Sequence, residues 1–143
     1  MLKTSPVLFA ACLFVLSPAL MLASGSQDAA PAPAASHAGA PNPVKPTPET
    51  QAKAKGLYAI DCAMCHGDNG NGQTDLSKSM SLNMPDFTDA KVMSAKTDGD
   101  LFDIIRNGKD KMPPEAAGRA NDGMVWNLIL YIRKMSSAQS AAK

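Results

Sequence analysis

The stretch Cys62-Ala63-Met64-Cys65-His66 decides how the rest of this sequence is interpreted. Two cysteines separated by two residues and followed at once by a histidine form the arrangement of covalent haem attachment. At a helix end, cysteines with this spacing present their sulfurs to the two vinyl groups of one porphyrin edge. The adjacent histidine then brings its imidazole beneath the iron. The motif predicts one covalent haem c, attached through Cys62 and Cys65, with His66 as an axial iron ligand.

Three other kinds of site use similar residues, and each fits this sequence less well. A thioredoxin-like redox pair requires a βαβ setting, and the sequence has no strand pattern. A structural zinc site requires four ligands, whereas Cys62, Cys65 and His66 have no second pair of cysteines or histidines nearby. A disulfide between cysteines so close in sequence closes a very small loop and is expected to stabilise little. We therefore favour haem over these alternatives.

The N-terminus has the composition of an export signal. Lys3 precedes an apolar run from Val7 to Ala23, and small residues follow it. The run is short for a membrane-spanning helix, which needs roughly 20 apolar residues, and it contains Pro18. We predict a signal peptide over residues 1–25, with a retained anchor, and hence a membrane tether through residues 5–23, as the alternative. Export would place the protein in the periplasm, where disulfides are permitted.

Composition divides the rest of the chain into a linker, a domain and a tail. Residues 26–46 are rich in alanine and proline, which predicts a disordered, solvated linker that includes His37. The predicted domain follows over residues 47–137, and residues 138–143 are predicted to be a flexible tail. A domain of this size has a small core, which often needs a cofactor to complete it. The net charge of +1 gives no electrostatic footprint for nucleic-acid binding.

Start and stop signals predict the first two helices of the domain. Thr47 as N-cap and Pro48 at the first helical position open a helix that runs toward Asp61. Thr97 caps a second helix, and Gly108 ends it. Both predictions rest on local chemistry at the helix ends.

The last helix is predicted from its apolar periodicity. It begins near Asn121 or Asp122 and runs to about Ser136, with a broad apolar face. The segment Ser77–Lys96 has no clean period and is predicted as a loop with at most a helical turn. Since no segment favours a strand, we expect short helices joined by long loops.

From about Ala52 to Met135 the sequence resembles a small bacterial class I cytochrome c domain. The resemblance is carried by Tyr58, the Cys62–His66 motif, Gly67 and the glycine-rich loop, Met112-Pro113-Pro114, and a C-terminal helix with Trp126 and Tyr131-Ile132-Arg133. It implies an all-α cytochrome c fold of short helices and loops wrapped around one covalently attached haem. The first and last helices would cross near Tyr58 and Tyr131.

One stretch departs from that family. Many relatives have a proline shortly after the glycine-rich loop, and its carbonyl accepts a hydrogen bond from the proximal histidine. Here the stretch reads Gln73-Thr74-Asp75, and the first proline is Pro85. The carbonyl that holds the second nitrogen of His66 is therefore left open. Such partners orient the imidazole ring and tune the iron.

The second axial ligand of the iron is predicted to be Met112. His66 is the only histidine outside the linker, so methionines are the main candidates. The two prolines that follow Met112 restrict its backbone and stiffen the loop that presents its sulfur. Met84 is also followed by a proline, but the family keeps that segment on the proximal side. Met84, Met80 and an open site remain the alternatives.

These predictions describe an electron carrier and not an enzyme. An iron ligated by both His66 and Met112 leaves no place for a substrate, and the sequence shows no nucleophile–base pair. We expect a periplasmic single-electron carrier whose redox partner is a dehydrogenase or a membrane oxidase or reductase complex. A gas-binding haem domain with an open iron position is one alternative. An electron-accepting subunit dedicated to one dehydrogenase is another.

Basic residues cluster beside the predicted Met112 loop, at Arg106, Lys109 and Lys111. They would form a docking rim around the exposed haem edge. Asp103 and Asp110 dilute this charge, so a mixed solvated face is an equal alternative.

Overall fold

The computed structural model describes residues 36–141, with side chains through residue 137. The predicted signal peptide or anchor at residues 1–25, the first part of the linker at 26–35, and residues 142–143 lie outside the described residues. Within the described range, the chain forms six helices and no strand. These are α1 (Pro48–Asp61), α2 (Ala63–His66), α3 (Asp75–Ser79), α4 (Ala90–Ser94), α5 (Asp98–Asn107) and α6 (Asp122–Ala141). The predicted all-α fold is confirmed.

Helices α1 and α5 begin at the threonines predicted to cap them. Thr47 accepts a hydrogen bond from the backbone of Thr50, and the Thr50 side chain accepts one from the backbone of Thr47. Thr97 and Asp100 form the same reciprocal pair at the start of α5. Each pair satisfies backbone N–H groups that have no partner inside the helix. Gly108, at a φ of 76°, follows the last residue of α5 as predicted.

Helix α4 lies within the segment Ser77–Lys96, predicted as a loop with at most a helical turn, and α3 extends into it. The side chain of Thr74 caps α3 by accepting from the backbone of Ser77, and Asp89 caps α4 by accepting from the backbone of Lys91. Each helix has only five residues, too few to show an apolar period. Their caps were present in the sequence and identify where they begin.

Helix α6 forms the centre of the core and continues to Ala141, beyond the predicted end near Ser136 and into the predicted tail. Val125, Leu128 and Ile129 on this helix are almost fully buried. Helices α1, α4 and α5 all pack against it. The rings of Tyr58 and Tyr131 lie 5.5 Å apart at the crossing of α1 and α6, where the family resemblance placed it. None of the helices within residues 36–141 has both the length and the apolar character needed to cross a membrane.

Arg133 on α6 joins the helix to the segment between α4 and α5. Its guanidinium donates to the Asp98 carboxylate at 2.9 Å from Nε, and Nη2 also lies 2.8 Å from that carboxylate. The same group donates to the backbone carbonyl of Met93 and, at 2.6 Å, to that of Lys96. Because the guanidinium is planar and carries several donors, one arginine satisfies three acceptors here.

Residues 36–46, called here the N-terminal strap, lie against α5 and α6. The backbone N–H of Gly99 donates to the carbonyl of Ala40 at 3.0 Å. The side chain of Asn42 donates to the carbonyl of Trp126 at 3.0 Å, and Val44 packs against the core. These contacts tie the strap to two helices that follow it by more than fifty residues.

His37, near the start of the strap, packs against aromatic rings of α5 and α6. Its ring lies 4.3 Å from the Phe102 ring and 5.6 Å from the Trp126 ring. Its Nδ1 is 3.1 Å from the Asp103 carboxylate, which also accepts a hydrogen bond from the His37 backbone at 2.9 Å. The structure therefore differs from the predicted solvated linker over residues 36–46. Composition predicts how much apolar surface a segment can bury by itself, whereas this segment covers aromatic rings supplied by distant helices.

Candidate functional site

The Cys62–His66 motif lies at a break between two helices. Cys62 ends α1 and immediately precedes α2, whose last residue is His66. The backbone N–H of His66 donates to the Cys62 carbonyl at 2.9 Å, which keeps both residues on one tight turn. The hydroxyl of Tyr58 donates to the Gly67 carbonyl at 2.7 Å and holds the end of this turn against α1. The motif thus lies on a rigid framework.

Two cavities lie beside the motif, with volumes of about 330 and 630 Å³. Both are lined by Cys62, His66, Met84 and Met112, and Cys65 lines the smaller one. Volumes of this size, about 300 to 1,000 Å³, are typical of small-molecule and cofactor sites. The structure therefore brings all four predicted site residues to one region, together with Met84.

One wall of the larger cavity, formed by residues distant in sequence from the motif, is apolar. It is formed by side chains of α5 and α6, namely Leu101, Ile104, Ile105, Leu128 and Ile132. A wall of aliphatic side chains suits the large apolar plate of a porphyrin, because burying its surface is favourable at about 25 cal/mol per Å². The cavity and its lining thus fit a haem.

The His66 imidazole is buried, with 8% of its surface exposed. Burial lowers its pKa to about 4 because the charged form is poorly solvated there. The ring is therefore neutral at physiological pH, which is the form that binds a metal ion. Its Nδ1 is buried and has no hydrogen-bond partner among residues 36–141. The carbonyl partner left open by the sequence is thus not supplied in the described part of the chain.

The thiols of Cys62 and Cys65 are free in the structure and not joined in a disulfide. The pKa of Cys62 is raised to about 12, mainly by burial and further by the nearby Asp61 and Glu115 carboxylates. A zinc site requires thiolates, which this environment disfavours. Within the described residues, no group of three or more His, Cys, Asp or Glu side chains is arranged to hold a metal ion. The donor set therefore fits thioether attachment of a haem better than zinc.

A tight turn presents Met112 to the cavities. The backbone N–H of Lys109 donates to the Met112 carbonyl at 3.0 Å, and the N–H of Met112 donates back at 2.8 Å. Asp110 within this turn has a φ of 52°, in the left-handed region. Gly108 allows the loop to close, since a Cβ there would lie 2.6 Å from the Met112 carbonyl oxygen. The Met112 position is thus determined by backbone hydrogen bonds as well as by the following prolines.

The other candidate methionines fall into two groups. Met84 lines both cavities and packs against Gly72, where a Cβ would lie 2.6 Å from the Met84 Cβ. Met80 is 46% exposed and lines neither cavity. Met124 and Met135, both on α6, pack against the core. Met93 lines only the larger cavity, whereas Met84 and Met112 line both.

The predicted basic rim is smaller than expected. Arg106 donates to the Glu115 carbonyl at 2.9 Å and pairs with Asp122 at 2.7 Å, and its side chain is only 11% exposed. Arg106 therefore stabilises the loop between α5 and α6, residues 108–121, and is not part of an exposed rim. Lys109 and Lys111 are exposed at the cavities, as predicted.

An acidic pair lies on the other side of Cys62 and was not identified from the sequence. Arg119 bridges Asp61 at 3.0 Å and Glu115 at 3.4 Å, and both carboxylates are nearly buried. The three residues lie on the wall of the smaller cavity. A single arginine between two carboxylates joins the end of α1 to the loop that carries Met112.

Comparison with known proteins identifies a family for this chain. The family described as "cytochrome c oxidase, cbb3-type, subunit III" matches residues 49–132, more than half of the chain. The Cbb3-type cytochrome c oxidase subunit CcoP of Azospirillum brasilense is 25% identical over 87 residues, which is 61% of this chain and 29% of that protein. Subunit FixPc of Rhizobium leguminosarum bv. viciae is 26% identical over 81 residues, or 57% of this chain and 26% of that protein. The chain thus spans less than a third of the length of these curated relatives.

A solved structure supports the same assignment. The c-type cytochrome KustC0563 superposes with a TM-score of 0.50 and 26% sequence identity, over 57% of this chain and 95% of that one. It is similar in both fold and sequence, and its match covers nearly the whole of that cytochrome. With the motif, the cavities and the helical fold described above, these matches show that the chain belongs to the family of the cbb3-type oxidase subunit III and carries a class I c-type cytochrome domain.

Proposed function

We propose that this chain is a periplasmic single-electron carrier with one covalently bound haem c, ligated by His66 and Met112. The observation that carries the proposal is that Cys62, His66 and Met112 line the same two cavities, although Met112 comes from a separate loop. The sequence contains a single Cys-x-x-Cys-His motif, which supports one haem.

Each residue has a distinct part in this proposal. Cys62 and Cys65 would hold the haem covalently, the neutral His66 ring would donate one nitrogen, and Met112 would donate its thioether sulfur. When bound, a haem supplies an iron that gains or loses one electron, and thioether ligation favours its ferrous state. With His66 and Met112 both holding the iron, no position would be left for a substrate, so the domain would carry electrons and not act as an enzyme.

The partner and location follow from the relatives and from the N-terminus. The relatives named above are subunits of cbb3-type cytochrome c oxidase, which favours a membrane oxidase complex as the redox partner. A dehydrogenase is the alternative partner. The apolar run within residues 1–25 supports export to the periplasm, by a cleaved signal or a retained anchor.

Haem staining on a denaturing gel tests the covalent attachment. Protein produced with a haem c maturation system is expected to stain, and C62S and C65S should weaken or abolish the stain. C12A is the matched control, because Cys12 lies in the predicted signal peptide and should not affect the stain. Undiminished stain in the C62S/C65S double variant would refute the proposal.

A visible spectrum in both redox states tests the ligation. We expect a low-spin spectrum with a long-wavelength sulfur–iron band in the oxidised protein. A high-spin spectrum would instead support the gas-binding alternative with an open iron position.

A further inference from the structure

We infer that Phe87 is a positioning residue that sets the rotation of the axial imidazole of His66, an inference that rests on the proposed haem site. The two rings are stacked, with centroids 4.6 Å apart and an angle of 17° between their planes. Both residues are buried and both line the larger cavity. A nearly parallel aromatic contact of this kind leaves the imidazole little freedom to rotate.

No hydrogen bond to Nδ1 fixes the orientation of the His66 ring in the described part of the chain. An iron-ligating histidine usually donates its second ring N–H to a carbonyl, a carboxylate or water, and that bond fixes the ring orientation. The Nδ1 of His66 is buried without a hydrogen-bond partner among residues 36–141. The stack on Phe87 is thus the contact left to orient the ring.

The glycine-rich loop, Gly67–Gly72, holds both rings in place. The N–H of Phe87 donates to the Gly70 carbonyl at 2.8 Å, and the N–H of Gly72 donates to the His66 carbonyl at 2.7 Å. The loop comes this close because Gly70 has no side chain. A Cβ at Gly70 would lie 3.0 Å from the Phe87 Cβ and 2.5 Å from the Met135 sulfur.

The arrangement has a chemical consequence for the iron. A hydrogen-bond acceptor at the second nitrogen makes a ligating imidazole more basic and a stronger electron donor. Because Phe87 covers the His66 ring and Nδ1 has no acceptor among residues 36–141, the imidazole would be a weaker donor toward a bound iron. Weaker donation favours the ferrous state, so the stack should raise the reduction potential.

Variants of Phe87 test this in the full-length holo-protein. F87L removes the aromatic face, and F87Y keeps it. Relative to the wild type, we expect F87L to lower the reduction potential and to change the g-value spread of the ferric low-spin EPR signal. F87Y should keep the wild-type reduction potential and EPR signal. F102L is the matched control, since Phe102 is a buried aromatic that lines neither cavity and stacks on Trp126. It should lower the unfolding temperature while leaving potential and EPR signal unchanged.

The outcomes separate this inference from the function on which it rests. A wild-type potential and EPR signal in F87L would overturn the role of Phe87. Equal changes in F87L and F102L would also overturn it, as would an F87Y variant that does not keep the wild-type EPR signal. If F87L yields no holo-protein, F87M, which fills similar volume without an aromatic face, gives the same comparison. Wild-type protein that lacks haem stain or a low-spin signal would refute the proposed function itself.

Discussion

The hydroxyl of Tyr58 donates a 2.7 Å hydrogen bond to the carbonyl oxygen of Gly67, the residue directly after His66. Tyr58 is almost fully buried in the core, and burial, with smaller electrostatic effects, raises the pKa of its hydroxyl well above 10.0. The hydroxyl therefore remains a donor throughout the physiological range. The bond joins the first helix to the end of the haem-binding motif.

Removing this hydroxyl should destabilise the domain. In Y58F the buried Gly67 carbonyl loses its side-chain donor but still accepts from the Gly70 N–H at 3.0 Å, so the loss should be about 0.5–1.5 kcal/mol. Chemical denaturation of the holo-protein measures the loss. Y131F is the control, because the Tyr131 hydroxyl makes no hydrogen bond to the residues the structure describes, and it should change stability by less than about 0.5 kcal/mol. Equal losses in the two variants would contradict the role given to Tyr58.

Met112 is predicted to be the second axial ligand. M112A should remove the long-wavelength sulfur–iron band, lower the reduction potential and open the iron to carbon monoxide or cyanide. M84A should keep the band, despite the place of Met84 at both cavities. M80A is the control, since Met80 is exposed and lines neither cavity. Loss of the band in M84A but not in M112A would assign the ligand to Met84.

The N-terminal strap is predicted to depend on Gly99. In G99A the new Cβ would overlap the carbonyl oxygen of His37 and displace the strap from Phe102 and Trp126. Lost aromatic contacts and hydrogen bonds should lower the free energy of unfolding by about 2 kcal/mol, despite the better helix propensity of alanine. The visible spectrum should not change, because no strap residue lines either cavity.

G56A is the matched control for that substitution. Gly56 lies in α1, and a Cβ there would have no atom within 4 Å. Alanine should therefore stabilise the helix by about 0.5–1 kcal/mol. A stabilising effect of G99A similar to that of G56A would show that the strap does not pack on α5 in solution.

The strap should also respond to acid through Asp103. Burial raises the pKa of this carboxyl, but hydrogen bonds from Ser36 and His37 together lower it more, so its pKa lies below the ordinary value of 3.8. Because the folded-state pKa is depressed, the stabilising contact is fully present above the unfolded value and is lost as the pH falls through the folded one. NMR of the Gly99 amide, which donates to the strap, should show release only below pH 3.8.

Charge removal at Asp103 gives the complementary experiment. D103N should loosen the strap at neutral pH, where the wild type retains it. D89N is the control, because Asp89 caps α4 and does not contact the strap. An unchanged Gly99 amide signal in D103N would contradict the role given to the hydrogen bonds that Asp103 accepts from the strap.

Arg133 is predicted to be irreplaceable by lysine. A lysine ammonium cannot reach the Asp98 carboxylate and the carbonyls of Met93 and Lys96 together, because it lacks the planar fork. R133K should therefore lose about 2 kcal/mol, as expected for hydrogen bonds to a charged group. K134R, at the exposed neighbouring position, should be neutral in thermal unfolding. Equal unfolding temperatures for both variants would contradict this role.

The sequence by itself determined the features that depend on neighbouring residues. The attachment motif at Cys62 and Cys65, the caps at Thr47 and Thr97 and the stop at Gly108 each rest on a few adjacent positions. The all-α class followed from periodicity and from the resemblance that the motif supported. Short-range chemistry of this kind needs no knowledge of the rest of the chain.

Tertiary structure alone decided the contacts between distant positions. It packed His37 against Phe102 and Trp126, directed Arg106 to the Glu115 carbonyl, and stacked Phe87 on His66. None of these pairings has a local signal, because a side chain's partner depends on which helix faces pack together. From composition alone, residues 36–46 were therefore predicted to be a linker. The segment packs because Phe102 of α5 and Trp126 of α6 present an aromatic surface to it, which only the tertiary structure reveals.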